Sequence, residues 1–165
     1  MRAEDAAREL AGTPGAEDWL AALASPDALR KAHRPDHLTA SAVVLEPTGA
    51  QVLLVLHRKV GLWLQPGGHV DDGDVSLAAA ALREATEETG VPGLAVDDRP
   101  CDLDRHPAPC GARDHLDVRF LVRAPSAAPP VVSEESLDVR WWPVGALPVQ
   151  RVDLGPLVRA GLARL

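Results

Sequence analysis

Glu84, Glu87 and Glu88 stand at i, i+3 and i+4 in the stretch Leu82-Arg83-Glu84-Ala85-Thr86-Glu87-Glu88-Thr89-Gly90, so a helix running through it sets three carboxylates on one face. Ala78, Ala81, Leu82, Ala85 and Thr89 lie about 120° around the same helix and form the stripe that faces a core. Gly90, followed by Val91 and Pro92, fits a left-handed helix stop, which leaves the acids in the last turns. Like charges there cost about 0.2–0.5 kcal/mol per pair, and the negative end of the helix dipole adds about 0.3–1 kcal/mol for each acid. A divalent cation among them would reverse the sign of a penalty on the order of 1–2 kcal/mol. With no Cys or His on that face, the oxygens make a hard site that suits Mg²⁺ or Mn²⁺ rather than Zn²⁺. An acidic cluster by itself reads more readily as a solvated face. The loop before the helix, Pro66-Gly67-Gly68-His69-Val70-Asp71-Asp72-Gly73-Asp74, changes that balance, because paired glycines let backbone approach a ligand without Cβ obstruction.

Taken together, Gly68-x5-Asp74-x8-Arg83-Glu84-Ala85-Thr86-Glu87-Glu88-Thr89-Gly90-Val91 resembles the signature of the Nudix hydrolases, G-x5-E-x7-R-E-U-x-E-E-x-G-U, where U is a large aliphatic residue. Asp74 stands where that pattern has Glu, the spacer to Arg83 is one residue longer, and Ala85 is small for a U position. The resemblance implies an α/β (α+β) fold, an α/β/α sandwich around a mixed β-sheet, with the signature forming a loop–helix–loop. It implies metal-dependent cleavage of a phosphoanhydride bond in a nucleoside diphosphate linked to another moiety. By matched position, Glu87 and Glu88 would be metal ligands, Glu84 a ligand or general base, and the Gly68 carbonyl a further ligand for Mg²⁺ or Mn²⁺. Arg83 would orient a glutamate or neutralise the cluster, paired with Asp74 in a surface-type interaction of at most about 1 kcal/mol. The departures at Asp74 and in the spacer leave a second reading, a nucleotide-sensing module that keeps the fold without turnover.

Other residues offer chemistry with less to distinguish them. His57, Arg58 and Lys59 lie between a strand and the glycine loop, where positive charge could face substrate phosphates. His69 either contacts substrate or ties down the loop, and Asp71 and Asp72 suit turn positions. Glu134 and Glu135 are the candidates for an additional acid, and they serve equally as caps of a short helix after Ser133. Cys101, His106, Cys110 and His115 space as C-x4-H-x3-C-x4-H, which is not a standard zinc module, and with Pro107 and Pro109 among them the stretch reads as coil. Trp63, Trp141 and Trp142 read as core or rim residues.

The elements that must position these groups follow from the pattern. Residues 1–35 read as a helical N-terminal extension, with Thr13-Pro14 and Ser25-Pro26 as cap-then-proline helix starts. A domain of residues 36–165 follows. Strands are expected at Leu38–Leu45 and Gln51–His57, joined as a hairpin by Pro47-Thr48-Gly49, then a helix at Ser76–Thr89. Short strands at Leu94–Val96 and His115–Val122 flank a polar, mobile loop containing both cysteines. Leu137–Pro143 resumes β character, and a helix near Leu154–Leu165 closes the chain.

At 165 residues, with 46% hydrophobic and 25% charged residues, the chain is the size of one soluble domain. Seventeen Lys and Arg against 24 Asp and Glu leave a formal charge of −7, which argues against binding a nucleic-acid backbone. No apolar run approaches the roughly 20 residues of a membrane span, and the start lacks a secretion signal, so the expectation is a cytoplasmic protein acting on a small nucleotide-derived molecule. The helical extension is free to cover the sheet or a second copy, which leaves a homodimer open. Two cysteines are too few for a disulfide framework, although one bridge is compatible with the sequence.

Overall fold

The computed structural model describes residues 1–134, 136–150 and 154–165. Strand β1 (His37–Leu45) is the axis of a seven-stranded mixed sheet. It pairs antiparallel with β2 (Gln51–His57) through the expected hairpin and antiparallel with β4 (Gly67–His69). On its other side it runs parallel to β6 (Asp114–Arg123), His37 beside His115 and Leu45 beside Arg123. β3 (Trp63–Leu64) and β7 (Ser136–Pro143) extend the sheet from β2, and β5 (Ala95–Pro107) closes the far edge against β6. Every residue of β1 is buried, as a strand covered on both faces must be.

The period of two along β1 divides its side chains between two cores. Leu38, Ala40, Ala42 and Val44 pack with the helix α3 (Leu77–Thr89), while Val43 and Leu45 pack with Leu157 and Val158 of α4 (Gly155–Leu162). Helices therefore cover both faces of the sheet. α1 (Ala3–Leu10) and α2 (Glu17–Ala22) lie on the α3 side, with Ala6, Leu10 and Trp19 in the same core as Leu77 and Ala85. Among the described residues no helix is long and apolar enough to cross a membrane.

Three local expectations need correction. Thr13-Pro14 and Ser25-Pro26 open turns rather than helices, and α2 starts later, with Ala16 as its N-cap. The loop expected between Val96 and His115 is mostly strand: β5 runs through Cys101 to Pro107. Its many Asp and Arg residues disguise it, because this edge strand packs only Val96, Cys101 and Leu103 against the cores and pairs its charges instead. Arg119 of β6 reaches Asp102 at 3.0 Å and Asp104 at 2.9 Å, and Pro100 sits at a register irregularity where its missing N–H costs little. Both cysteines are free thiols.

Candidate active site

α3 forms because Ala and Leu fill its first half and both ends are capped. Ser76 Oγ accepts from Ala79 N at 2.9 Å, and Gly90 takes φ +63° at the stop. A second cap comes from far away in sequence: the Glu9 carboxylate accepts from Leu77 N at 2.7 Å and from Ala78 N at 2.9 Å. Burial pushes the Glu9 carboxyl upward in pKa, against these two amides. Ala78, Ala81, Ala85 and Thr89 are buried as the stripe requires, and Leu82 is partly buried.

The three glutamates share a face but not an environment. Glu87 is exposed, Glu84 is half-buried and Glu88 is 4% exposed. Glu88 reaches back to the glycine loop, where its Oε2 accepts from Gly67 N at 3.1 Å. Glu84 lies against Gly68 so closely that a Cβ there would stand 2.6 Å from Oε1. A side chain at Gly67 would meet Ser41 Cβ at 2.3 Å. Position 67 thus demands glycine because the loop is pressed against the backbone of β1, while a side chain at Gly68 would push the Glu84 carboxylate out of its present place.

Arg83 joins loop and helix. Its Nε and Nη2 donate to the two oxygens of Asp74 at 3.0 Å each, and Nη2 also donates to the carbonyl of His69 at 2.9 Å. Nη1 donates to Glu84 at 3.0 Å and Glu87 at 3.2 Å. Asp74 is 6% exposed, so this is a two-pronged, largely buried pair rather than the surface-type contact expected from the sequence. The bonds to Asp74 are the main reason the Arg83 guanidinium is raised above its ordinary pKa. Burial alone would raise Asp74, but the Arg83 fork and the Asp71 N–H outweigh it and hold the carboxyl below its usual range. Glu84 and Glu87 thus share a counter-charge within the chain, the Arg83 guanidinium.

The remaining candidates scatter. Arg58 donates to the carbonyls of Glu134 at 2.9 Å and Ser136 at 3.0 Å, tying the turn after β2 to the start of β7. Lys59 is exposed in the same turn, and its N–H donates to His57 Nδ1. Glu134 lies in a turn, not a helix, and Glu135 falls outside the described residues. Asp71 closes a turn with Asp74. Trp63 and Trp142 meet edge to face at 5.2 Å at the rim of the α4 core, and Trp141 packs toward the other core.

His69 is brought into a cluster with His37 and His115. Burial pushes the imidazoles of His69 and His115 down to about 4 and lowers that of His37 as well. The four-residue spacing noted in the sequence splits. Cys101 belongs with the α4 core, and burial pushes its thiol up to about 12. Cys110 and His115 are joined instead by His37 and His69. His37 was missed because its partners lie on other strands; its place as the first residue of the face that continues through Thr39 and Ser41 was the only signal.

A sequence model described as the NUDIX domain matches residues 35–160. A 42-residue stretch is 57% identical to the uncharacterized Nudix hydrolase NudL of Cronobacter sakazakii, covering 26% of this chain and 22% of that protein. The chain thus aligns with only about a fifth of the length of the curated relatives it matches. Among solved structures, the NUDIX domain of Shewanella oneidensis NrtR, complexed with ADP ribose, is 26% identical with a TM-score of 0.62, over 87% of this chain and 96% of that one. A C. elegans Ap4A hydrolase at 22% identity and TM-score 0.62, over 77% of this chain and 96% of its own, and a Clostridium perfringens NUDIX-family hydrolase at 21% and 0.62, over 77% and 95%, share the fold.

Proposed function

Since the chain belongs to the Nudix family, we propose that it hydrolyses a phosphoanhydride bond in a nucleoside diphosphate linked to another moiety. The observation that carries this reading is the fit of Glu84 against Gly68, with Glu88 bonded to Gly67. Two acids of the helix converge on the backbone of the loop, at Gly67 where no side chain fits and at Gly68 where one would displace Glu84.

The family generally uses a divalent metal, and the donor set here is hard oxygen: Glu84, Glu87, Glu88 and the Gly68 carbonyl would hold Mg²⁺ or Mn²⁺. Such an ion, when bound, polarises phosphoryl oxygens and makes water a better nucleophile near neutral pH. The chain's own groups do the positioning. Arg83 holds Glu84 and Glu87 in place by donating to both from one nitrogen. Asp74 and the His69 carbonyl fix Arg83 in turn. Glu84 is the carboxylate we assign to ligation or to taking a proton from water. Arg58 has its guanidinium committed to two carbonyls, so the exposed Lys59 is better placed than Arg58 to meet a phosphate.

Incubation with Mg²⁺ or Mn²⁺ and a panel of ADP-ribose, dinucleoside polyphosphates, nucleotide sugars and nucleoside triphosphates tests the proposal. Release of a nucleoside monophosphate or of phosphate from one class supports it. Tight binding of a nucleotide without turnover across the panel would instead favour the sensing module.

A further inference from the structure

Four side chains outside the acidic cluster meet where β1, β4 and β6 come together beside the turn that links β5 and β6. His37 opens β1, His69 ends β4, His115 is the second residue of β6, and Cys110 lies in the turn. One ligand atom from each lies within 4.8 Å of all the others. We propose that these four residues hold a Zn²⁺ ion in a closed, structural site of one thiolate and three imidazoles, distinct from the glutamate cluster.

Geometry supports it first. With Zn–N near 2.0–2.1 Å and Zn–S near 2.3 Å, the edges of a tetrahedral site are about 3.4 Å between nitrogens and about 3.6 Å between nitrogen and sulfur. Cys110 Sγ stands 3.6 Å from His37 Nε2 and 3.3 Å from His115 Nε2. The ring centroids of His37, His69 and His115 are 5.0–5.2 Å apart, as imidazoles converging on one point require.

A count of hydrogens points the same way. His37 Nδ1 lies 3.2 Å from the carbonyl oxygen of His33. A carbonyl only accepts, so Nδ1 carries the ring hydrogen and Nε2 presents a lone pair toward Cys110. Such a carbonyl behind a ligating imidazole is the usual outer partner of a metal-bound histidine. His69 Nε2 is buried with no hydrogen-bond partner. A cation at the centre would give that nitrogen a partner and would be shared by the thiolate and the other two rings.

The donor set selects the metal. Three imidazoles and a thiolate suit zinc and are poor ligands for Mg²⁺ or Ca²⁺, and four protein ligands leave no position for a reacting water. His106 is not part of the set: its ring lies beside His115, but it is not among the residues whose ligand atoms all lie within 4.8 Å of one another. The site ties three strands and the β5–β6 turn at one point. It also fixes the residue whose carbonyl receives Arg83, so zinc would anchor the head of the glycine loop without entering its chemistry.

The test is metal analysis of the full chain, produced without a metal-affinity tag, loaded with zinc and gel-filtered in Mg²⁺ buffer. The proposal expects about one zinc per chain. The cobalt-substituted protein should show a thiolate-to-cobalt charge-transfer band that persists in Cys101→Ser and is lost in Cys110→Ser. His106→Ala should keep its metal, and His69→Ala should lose most of it. Less than about 0.1 zinc per wild-type chain after loading, or no thiolate band in wild-type cobalt protein, would overturn the assignment even if every variant failed to fold. So would a band that follows Cys101.

Discussion

Arg83 distributes its donors over Asp74, the His69 carbonyl, Glu84 and Glu87, so a single guanidinium holds the loop, the helix and two acids in one geometry. Asp74 is shorter by one methylene than the glutamate its position resembles, and the spacer to Arg83 is one residue longer. The fork is nonetheless made at 3.0 Å on both prongs. Breaking a buried ion pair typically costs about 3–5 kcal/mol. Arg83 keeps three other acceptors, so Asp74→Asn should cost about half of that, read as a shift of the denaturation midpoint. Because the guanidinium then keeps only the His69 carbonyl as an anchor in the loop, the same variant should lower the hydrolytic rate at least tenfold at temperatures where it stays folded. An unchanged rate would show that Arg83 is positioned without Asp74. The identity of these residues was legible from the sequence. Their burial was not, because burial of Asp74 depends on how the loop folds onto α3.

The signature helix is capped at its start by two carboxylate or hydroxyl groups that are unrelated in sequence, Ser76 and Glu9. Removing the Glu9 side chain leaves Leu77 N and Ala78 N without their partners, so Glu9→Ala should destabilise the fold by about 1–2 kcal/mol. Hydrogen exchange should accelerate first in the opening turn of α3. Uniform acceleration across the chain, or none, would mean that Ser76 suffices. Element by element, the sequence reads best where the local signal is complete. The β1–β2 hairpin has its turn residues and apolar runs, and α3 has Ser76 and Gly90 at its ends. It reads worst at β5, where pairing with Arg119 replaces apolar alternation, and at Glu9, whose role depends on α1 docking beside α3.

At the scale of the molecule, the sheet carries two cores, and the N-terminal extension belongs to the one that seats α3. Leu10 has no exposed surface. Leu10→Ala should therefore cost about 2–4 kcal/mol by lost burial and an imperfectly filled cavity, seen in thermal unfolding as one cooperative transition at lower temperature. Separate melting of residues 1–35 would show that the extension is an appendage instead. The fold class and helical preface were readable from patterning and from the resemblance. The joining of the preface to the signature core was not, since it rests on contacts between α1, α2 and the sheet that no local period encodes. The histidine cluster was hidden for the same reason: parallel pairing of β1 with β6 places His37 beside His115, and no short-range spacing reports that register.

The central claim is that the acids on α3, aimed by Arg83 over the glycine loop, carry hydrolysis of a diphosphate. The most direct measurement is the rate on the best substrate of the panel across a Mg²⁺ titration, for the wild type and for Glu87→Gln, the exposed and least structurally committed of the three. The account predicts activity that rises from zero with Mg²⁺ in the wild type and falls by at least a hundredfold in the variant, with its melting temperature within a few degrees. Turnover that needs no divalent ion, or that survives Glu87→Gln, would contradict it.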